Sequence, residues 1–161
     1  MKSIRHLANI KIHDDYGTPP DVFARACMKY DIIPTLDVCA TKENTKCKKF
    51  ITENADGLLF EWRETFFMNP PYSKVDKFMK RAYYQHLKYG VDGLILVFAK
   101  TDTKWWHSYV EDKAEIHFVK GRIKFFKDGY ETRNSAPYPS VFLIYRVERT
   151  LKLNTKNQNH F

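Results

Sequence analysis

The sequence predicts an α/β fold: a mostly parallel sheet, covered by helices on both sides, that ends in an antiparallel pair of strands. Three observations carry this expectation. Apolar runs and segments of helical period alternate along most of the chain. The run Gly93 to Ala99 is almost continuously apolar, as in a strand buried on both faces of a parallel sheet. Two strand-like segments, Glu115 to Phe126 and Ser140 to Val147, then follow one another, joined by a loop that contains Pro137 and Pro139.

Thr18-Pro19-Pro20-Asp21 reads as a helix start, with Thr18 as N-cap, proline in the first turn and an acid three residues on. Val22, Phe23, Ala26 and Tyr30 follow at helical spacing. Leu36 to Ala40 reads as a short strand running into a turn, and Asn44 to Phe50 as a short helix. Thr65 to Met68 is a brief apolar strand ending at Asn69-Pro70-Pro71-Tyr72. Ser73-Lys74-Val75-Asp76 has the capping-box pattern. It opens a helix with Val75, Phe78, Met79 and Ala82 on one face and Gly90 at its stop. Residues 1–149 are expected to form a single domain, and the polar 150–161 a tail that frays.

The 161 residues suit one domain with a real core. Twenty-seven Lys+Arg against 19 Asp+Glu give a formal charge of +8, which attracts polyanions, nucleic acid above all. The basic residues lie in separate groups (Lys42 to Lys49, Lys74 to Arg81, Lys100 and Lys104, Lys120 to Lys127) and read as rims of a folded surface rather than a basic arm. Cys27, Cys39 and Cys47 form no CxxC pair, and the histidines have no ligand spacing, so no metal is expected. Met1 to His6 lacks the apolar stretch of a signal peptide, and the apolar run at Leu94 to Ala99 is far too short to span a bilayer. The expected location is the cytoplasm of a bacterial, archaeal or virus-infected cell.

Asn69-Pro70-Pro71-Tyr72 sits between a buried strand and a helix. Two prolines fix two φ angles and remove two backbone donors, which leaves a rigid loop whose carbonyls are free to accept. An Asn side-chain oxygen beside them makes an acceptor pair for an –NH2 group, and the Tyr ring two residues on can stack on a planar base. The competing reading of a bare tetrapeptide is a Pro-Pro turn capped by Asn and packed by Tyr.

This loop resembles the Asp/Asn/Ser-Pro-Pro-aromatic motif of amino methyltransferases, whose Asn form occurs in adenine-specific enzymes and in protein-glutamine methyltransferases. More of the chain resembles the small phage-type Dam family of DNA N6-adenine methyltransferases. The matching pieces are Gly17-Thr18-Pro19, Leu36-Asp37-Val38-Cys39-Ala40, Asn44 with Cys47, Asp56-Gly57-Leu58 with Trp62, and Asn69-Pro70-Pro71-Tyr72-Ser73. Thr101-Asp102-Thr103-Lys104-Trp105, Gly121-Arg122-Ile123-Lys124-Phe125 and Ala136-Pro137-Tyr138-Pro139-Ser140 follow in order.

The resemblance implies a compact Rossmann-like class I methyltransferase fold and S-adenosylmethionine as cofactor. Asn69, Pro70 and Tyr72 would be the catalytic loop. Thr18-Pro19 would contact the methionine end of the cofactor, where a hydroxyl beside helix-start N–H groups holds a carboxylate. Asp37 would pair with the α-ammonium, Cys39 would line the turn after it, and Asp56 would accept from the ribose or the adenine. Lys74, Lys104, Trp105, Arg122 and Lys124 are the candidates for contact with DNA, expected to be double-stranded. Core packing competes for Trp105 and its neighbour Trp106, and a simple turn role for Asp56. The glycine-rich turn of many methyltransferases is absent after Asp37, where Cys39 and Ala40 stand. Two further readings follow: an enzyme acting on RNA or a protein glutamine, and a DNA-binding relative without catalysis. The oligomeric state, monomer or weak dimer, is left open.

Overall fold

A computed structural model describes residues 16–52, 55–127, 130–132 and 135–158, with side chains to Lys156 at the C-terminal end. The segment Met1 to His6 and the last three residues of the expected tail lie outside the described residues.

Helix α1 (Pro20–Tyr30) is followed by strands β1 (Leu36–Asp37), β2 (Lys49–Phe50) and β3 (Phe66–Met68). Helix α2 (Val75–Tyr89), strand β4 (Gly93–Phe98), helix α3 (Lys104–Tyr109) and strand β5 (Glu115–Phe118) come next. The chain closes with the small pair β6 (Phe126–Lys127) and β7 (Tyr130–Glu131), then β8 (Ser140–Tyr145) and α4 (Val147–Gln158).

The main sheet has the order β2-β1-β3-β4-β8-β5. Its first four strands are mutually parallel, and β8 runs antiparallel between β4 and β5. This is the expected α/β architecture. From β1 the chain steps outward to β2, then returns to the other side of β1 and builds β3 and β4. The order therefore reverses between β1 and β3, and in open α/β sheets ligands bind beyond the carboxyl ends of the strands at such a reversal.

Alternation along the strands divides the core. Ile95, Val97, Val141, Leu143 and Tyr145 face α2 and α3, while Leu94, Leu96, Phe98, Phe142 and Ile144 face the side of α1 and the Ile123–Phe125 segment. All six residues of β4 and all six of β8 are buried.

Several local expectations are corrected. Residues 44–50 form turns and then β2, not a helix. Polar side chains there take backbone N–H groups away from a helical ladder: Thr41 and Asn44 cap each other reciprocally, and Asp37 accepts from Lys46 N at 2.9 Å. Thr18 is not the N-cap of α1; Pro19 holds that position without a side-chain cap bond. Ser73 is not the N-cap of α2, because Tyr72–Lys74 first makes a 3-10 turn in which Lys74 N donates to Pro71 O. The strand expected over 115–126 stops at Phe118, and the chain turns at Gly121 with φ +79, a conformation glycine adopts at little cost. The segment read as a polar tail enters helix α4. Its start is held by Asp92 Oδ1, which accepts from Val147 N, and its Thr150 hydroxyl meets buried His86 Nε2 at 2.8 Å. No helix among the described residues is long and apolar enough to cross a membrane.

Candidate active site

Asn69 stands at the carboxyl end of β3, next to Asp37 at the carboxyl end of β1; the strands pair Asp37 with Phe67, and Val38 N donates to Phe67 O. A cavity of about 20 Å³ lies here, lined by Asp37, Cys39, Phe67 and Asn69 with Tyr16, Gly17, Thr18, Asn44 and Lys46. The sequence therefore brings Thr18, Asp37, Cys39 and Asn69 to one place. A larger open hollow of about 570 Å³ is lined by Thr35 and Glu64, which precede β1 and β3, and by Lys46 to Lys49; it shares Lys46 with the first cavity but does not include Asn69 or Asp37.

The amide of Asn69 is oriented by two contacts. Its Nδ2 donates to Tyr16 O at 3.0 Å and to Thr18 Oγ1 at 3.1 Å. Tyr16 O can only accept, so the nitrogen must face it and the oxygen must face away. That oxygen, Oδ1, is buried and has no hydrogen-bond partner among the described residues. An orphaned buried acceptor costs roughly 1–3 kcal/mol and calls for an explanation. Thr18, 2% exposed, thus positions the amide of Asn69 instead of capping a helix. The segment it belongs to is pinned by paired backbone bonds between Gly17 and Phe126 and by stacking of Tyr16 on Phe125.

The two proline carbonyls differ. Pro71 O accepts from Lys74 N, whereas Pro70 O is used by no backbone donor among the described residues outside helices and strands. Tyr72 lies flat on Phe98, with ring centroids 4.1 Å apart and 2° between planes, and meets Phe125 edge-on. Its hydroxyl is buried without a partner among the described residues, and burial raises its pKa.

Asp37 is 2% exposed, so it is no solvated turn acid. One oxygen accepts from Cys39 N at 3.3 Å and the other from Lys46 N at 2.9 Å. Burial raises its pKa, against the lowering pull of those two N–H groups and of the Lys46 charge. A carboxylate has about four lone-pair sites, so two donors leave acceptor capacity. Burial and the neighbouring Asp37 charge together push the Cys39 thiol well up, which keeps it a protonated wall rather than a nucleophile.

Two expected residues do not line the cavity. Asp56, at φ +52, accepts from Leu58 N through Oδ1 in its own turn and is not among the residues that line the cavity. The next residue, Gly57, packs so close to β1 that a Cβ there would meet Val38 O at 2.6 Å, while Gly57 O accepts from Trp62 Nε1. The Asp56-Gly57-Trp62 piece is a packing unit. Trp105 is 7% exposed and meets Trp106 edge-on in the core beneath α3, so it cannot serve as a surface wedge.

The cationic candidates are surface residues. Phe98 is opposite Ser140 and Phe118 opposite Val141, so the ends of β4 and β5 lie at the same edge of the sheet as Asn69. Lys74, Lys104, Arg122 and Lys124 follow those ends or the Asn69 loop, are exposed, and make no ion pair among the described residues. Arg122 also reaches Ala136 O at 3.4 Å. Lys100 lies over the ring of Tyr138 at the same rim. The reading of the sequence passed over Tyr16, Lys46, Phe98 and Phe125 as site residues. Only contacts across the fold reveal them, although Phe125 stands in one of the quoted motifs.

A family profile described as DNA N-6-adenine-methyltransferase (Dam) matches residues 7–161. The chain belongs to this family. It is 35% identical over 129 residues to the DNA N-6-adenine-methyltransferase of Haemophilus phage HP1, an alignment covering 77% of this chain and 75% of that protein. It is 29% identical over 126 residues to the protein of the same name from Escherichia phage T1, covering 77% of this chain and 52% of the relative. For a Dam-family chain, the orphaned Asn69 oxygen at a strand-order reversal is the feature to explain, and adenine N6, an –NH2 group, is a donor that suits it.

Proposed function

We propose that the crevice between β1 and β3 binds S-adenosylmethionine and brings its methyl group to the N6 amine of an adenine flipped out of duplex DNA. The observation that carries this reading is the buried Oδ1 of Asn69, which is aimed by Tyr16 and Thr18 and lacks a donor among the described residues. Asn69 Oδ1 and Pro70 O accept the two N6 hydrogens, which draws the nitrogen toward tetrahedral geometry and frees its lone pair. Tyr72, backed on one face by Phe98, offers its other face to the base. Flipping costs roughly a few kcal/mol of unstacking. Holding nucleophile and methyl at attack distance supplies much of the acceleration, without a covalent enzyme intermediate.

The donor set fits the cofactor. Asp37, with spare acceptor capacity, holds the α-ammonium, and Cys39 and Phe67 line the wall beside it. When bound, S-adenosylmethionine supplies an electrophilic methyl on a sulfonium sulfur. A nucleoside-sized ligand needs some hundreds of Å³ against the present 20 Å³, so the Asn44–Lys46 side of the wall draws back on binding while Tyr16 and Thr18 keep their hold on Asn69. The +8 charge and the unpaired Lys74, Lys104, Arg122 and Lys124 supply phosphate contacts, each weakening binding with salt by a log–log slope of about −0.9.

Expression in a host without adenine methylation, followed by long-read mapping of the DNA, tests the reading. N6-methyladenine at a defined short site is the expected result. Label appearing only in RNA or protein, or no methylated adenine from a folded enzyme, overturns it.

A further inference from the structure

The crevice contains opposite charges side by side. Lys46 lines it together with Asp37, and its ammonium donates to Asn44 O in the same wall. It is the one basic side chain among the described residues that line the cavity. Among the described residues it makes no ion pair, whereas Lys49, three positions on, is bound to Glu64. Burial lowers its pKa, and the Asp37 charge pulls it back up, so the ammonium is partly stripped of water beside a carboxylate it does not reach as a salt bridge. Thr18, expected to hold a carboxylate, accepts from Asn69 Nδ2 and has only a neutral O–H left to donate, so a full charge for that carboxylate must come from elsewhere. A partly desolvated cation held by one backbone carbonyl gains a charge-assisted bond when an anion enters.

Building on the cofactor reading above, we propose that Lys46 receives the α-carboxylate of the methyl donor while Asp37 holds its α-ammonium. The two residues together then recognise the amino-acid end as a zwitterion. Neither charge is in excess, so the pair suits a ligand end that is itself neutral overall and discriminates against one carrying the amine alone.

The test is calorimetric binding of S-adenosylmethionine and of its decarboxylated analogue to the wild type, Lys46→Gln and Lys46→Arg, with melting midpoints recorded for each. The wild type should prefer the carboxylate-bearing ligand by roughly ten- to hundredfold, the range for a hydrogen bond between charged groups. Lys46→Gln should lose that preference by weakening only S-adenosylmethionine, and Lys46→Arg should keep most of it. A wild type that binds both ligands equally overturns the proposal whatever the variants do. So does a Lys46→Gln that weakens both ligands alike, because Lys46 would then be only a tether for the Asn44 turn. A wild type that binds neither ligand defeats the cofactor reading itself, and this proposal with it.

Discussion

At the end of β1, Asp37 has two buried carboxylate oxygens, and each holds a backbone N–H of the loop that follows. At the end of β3, the adjacent strand, Asn69 has a buried amide oxygen with no donor, while its nitrogen is held twice. Both side chains line the same cavity. The first is built into the fold: without it, the stretch from Cys39 to Lys46 loses its internal anchor. The second is held in place and, among the described residues, left without a donor, at a cost that a ligand donor can return. Burial and position alone do not separate a supporting residue from a reacting one here; the state of each lone pair does.

Asn69→Ala breaks this comparison with the largest effect. It removes the acceptor whose strength counts most when N6 approaches tetrahedral geometry, and kcat should fall on the order of a hundredfold or more, as when a preorganised hydrogen-bond partner is removed elsewhere. Cofactor binding, measured by calorimetry, should persist. If the variant methylates DNA at the wild-type rate, Asn69 is only a turn residue.

Asp37→Asn comes next, and its effect is on stability. The two N–H groups approach different oxygens, so in the variant the amide nitrogen would face one of them, an unmet donor worth about 1–3 kcal/mol that is partly offset by removal of a buried charge. The pH dependence has a definite sign. Burial raises the folded pKa of Asp37 above its ordinary value of 3.8, so the folded chain holds that proton more tightly than the unfolded one. The stability this group contributes is complete below 3.8 and is lost as pH rises through the folded value. Melting midpoints taken upward from that pH should show the slope in the wild type and a flatter profile in Asp37→Asn.

Thr18→Val sharpens the comparison on the Asn69 side. The shape is nearly kept, the hydroxyl that accepts from Nδ2 is lost, and Tyr16 O alone aims the amide. A roughly tenfold drop in kcat with little change in KM is expected, since small misplacements of a reacting group are costly. A change confined to KM would instead put Thr18 on the cofactor, the role the sequence resemblance gave it.

The sequence carried the parts of the molecule in which local pattern and tertiary packing agree. The apolar run 93–98 is a fully buried strand, and α2 ends at Gly90 in the left-handed region. The Asn69 loop was legible because two prolines impose their geometry regardless of context. What failed did so through long-range competition. Thr18 has the composition of an N-cap, but its hydroxyl is claimed by a residue 51 positions away. The 44–50 segment has enough helix formers to read as a helix, yet Asp37 takes one of its N–H groups. Trp105 follows a strand end, where a wedge belongs, and the packing of α3 turns it inward. Lys46 and Phe98 became visible as site residues only when the strand order placed them.

Tyr72 carries the second orphan in this loop, and its contrast with Asn69 is the finest version of the comparison. Its hydroxyl is buried and unpartnered, like Asn69 Oδ1, but it lies in an aromatic cluster of Tyr16, Phe98 and Phe125 rather than in the cavity wall. The ring is what the geometry uses. Its face is flat against Phe98, and that contact survives removal of the oxygen. Tyr72→Phe deletes a polar atom that forms no bond, so the protein should be equally stable or more stable by up to about 1 kcal/mol, with kcat within a few-fold of wild type. A steady-state assay beside a melting curve decides the matter. A large fall in kcat with an unchanged melting midpoint would mean that this hydroxyl, too, is held in reserve for the base, and that both orphans of the loop face the ligand.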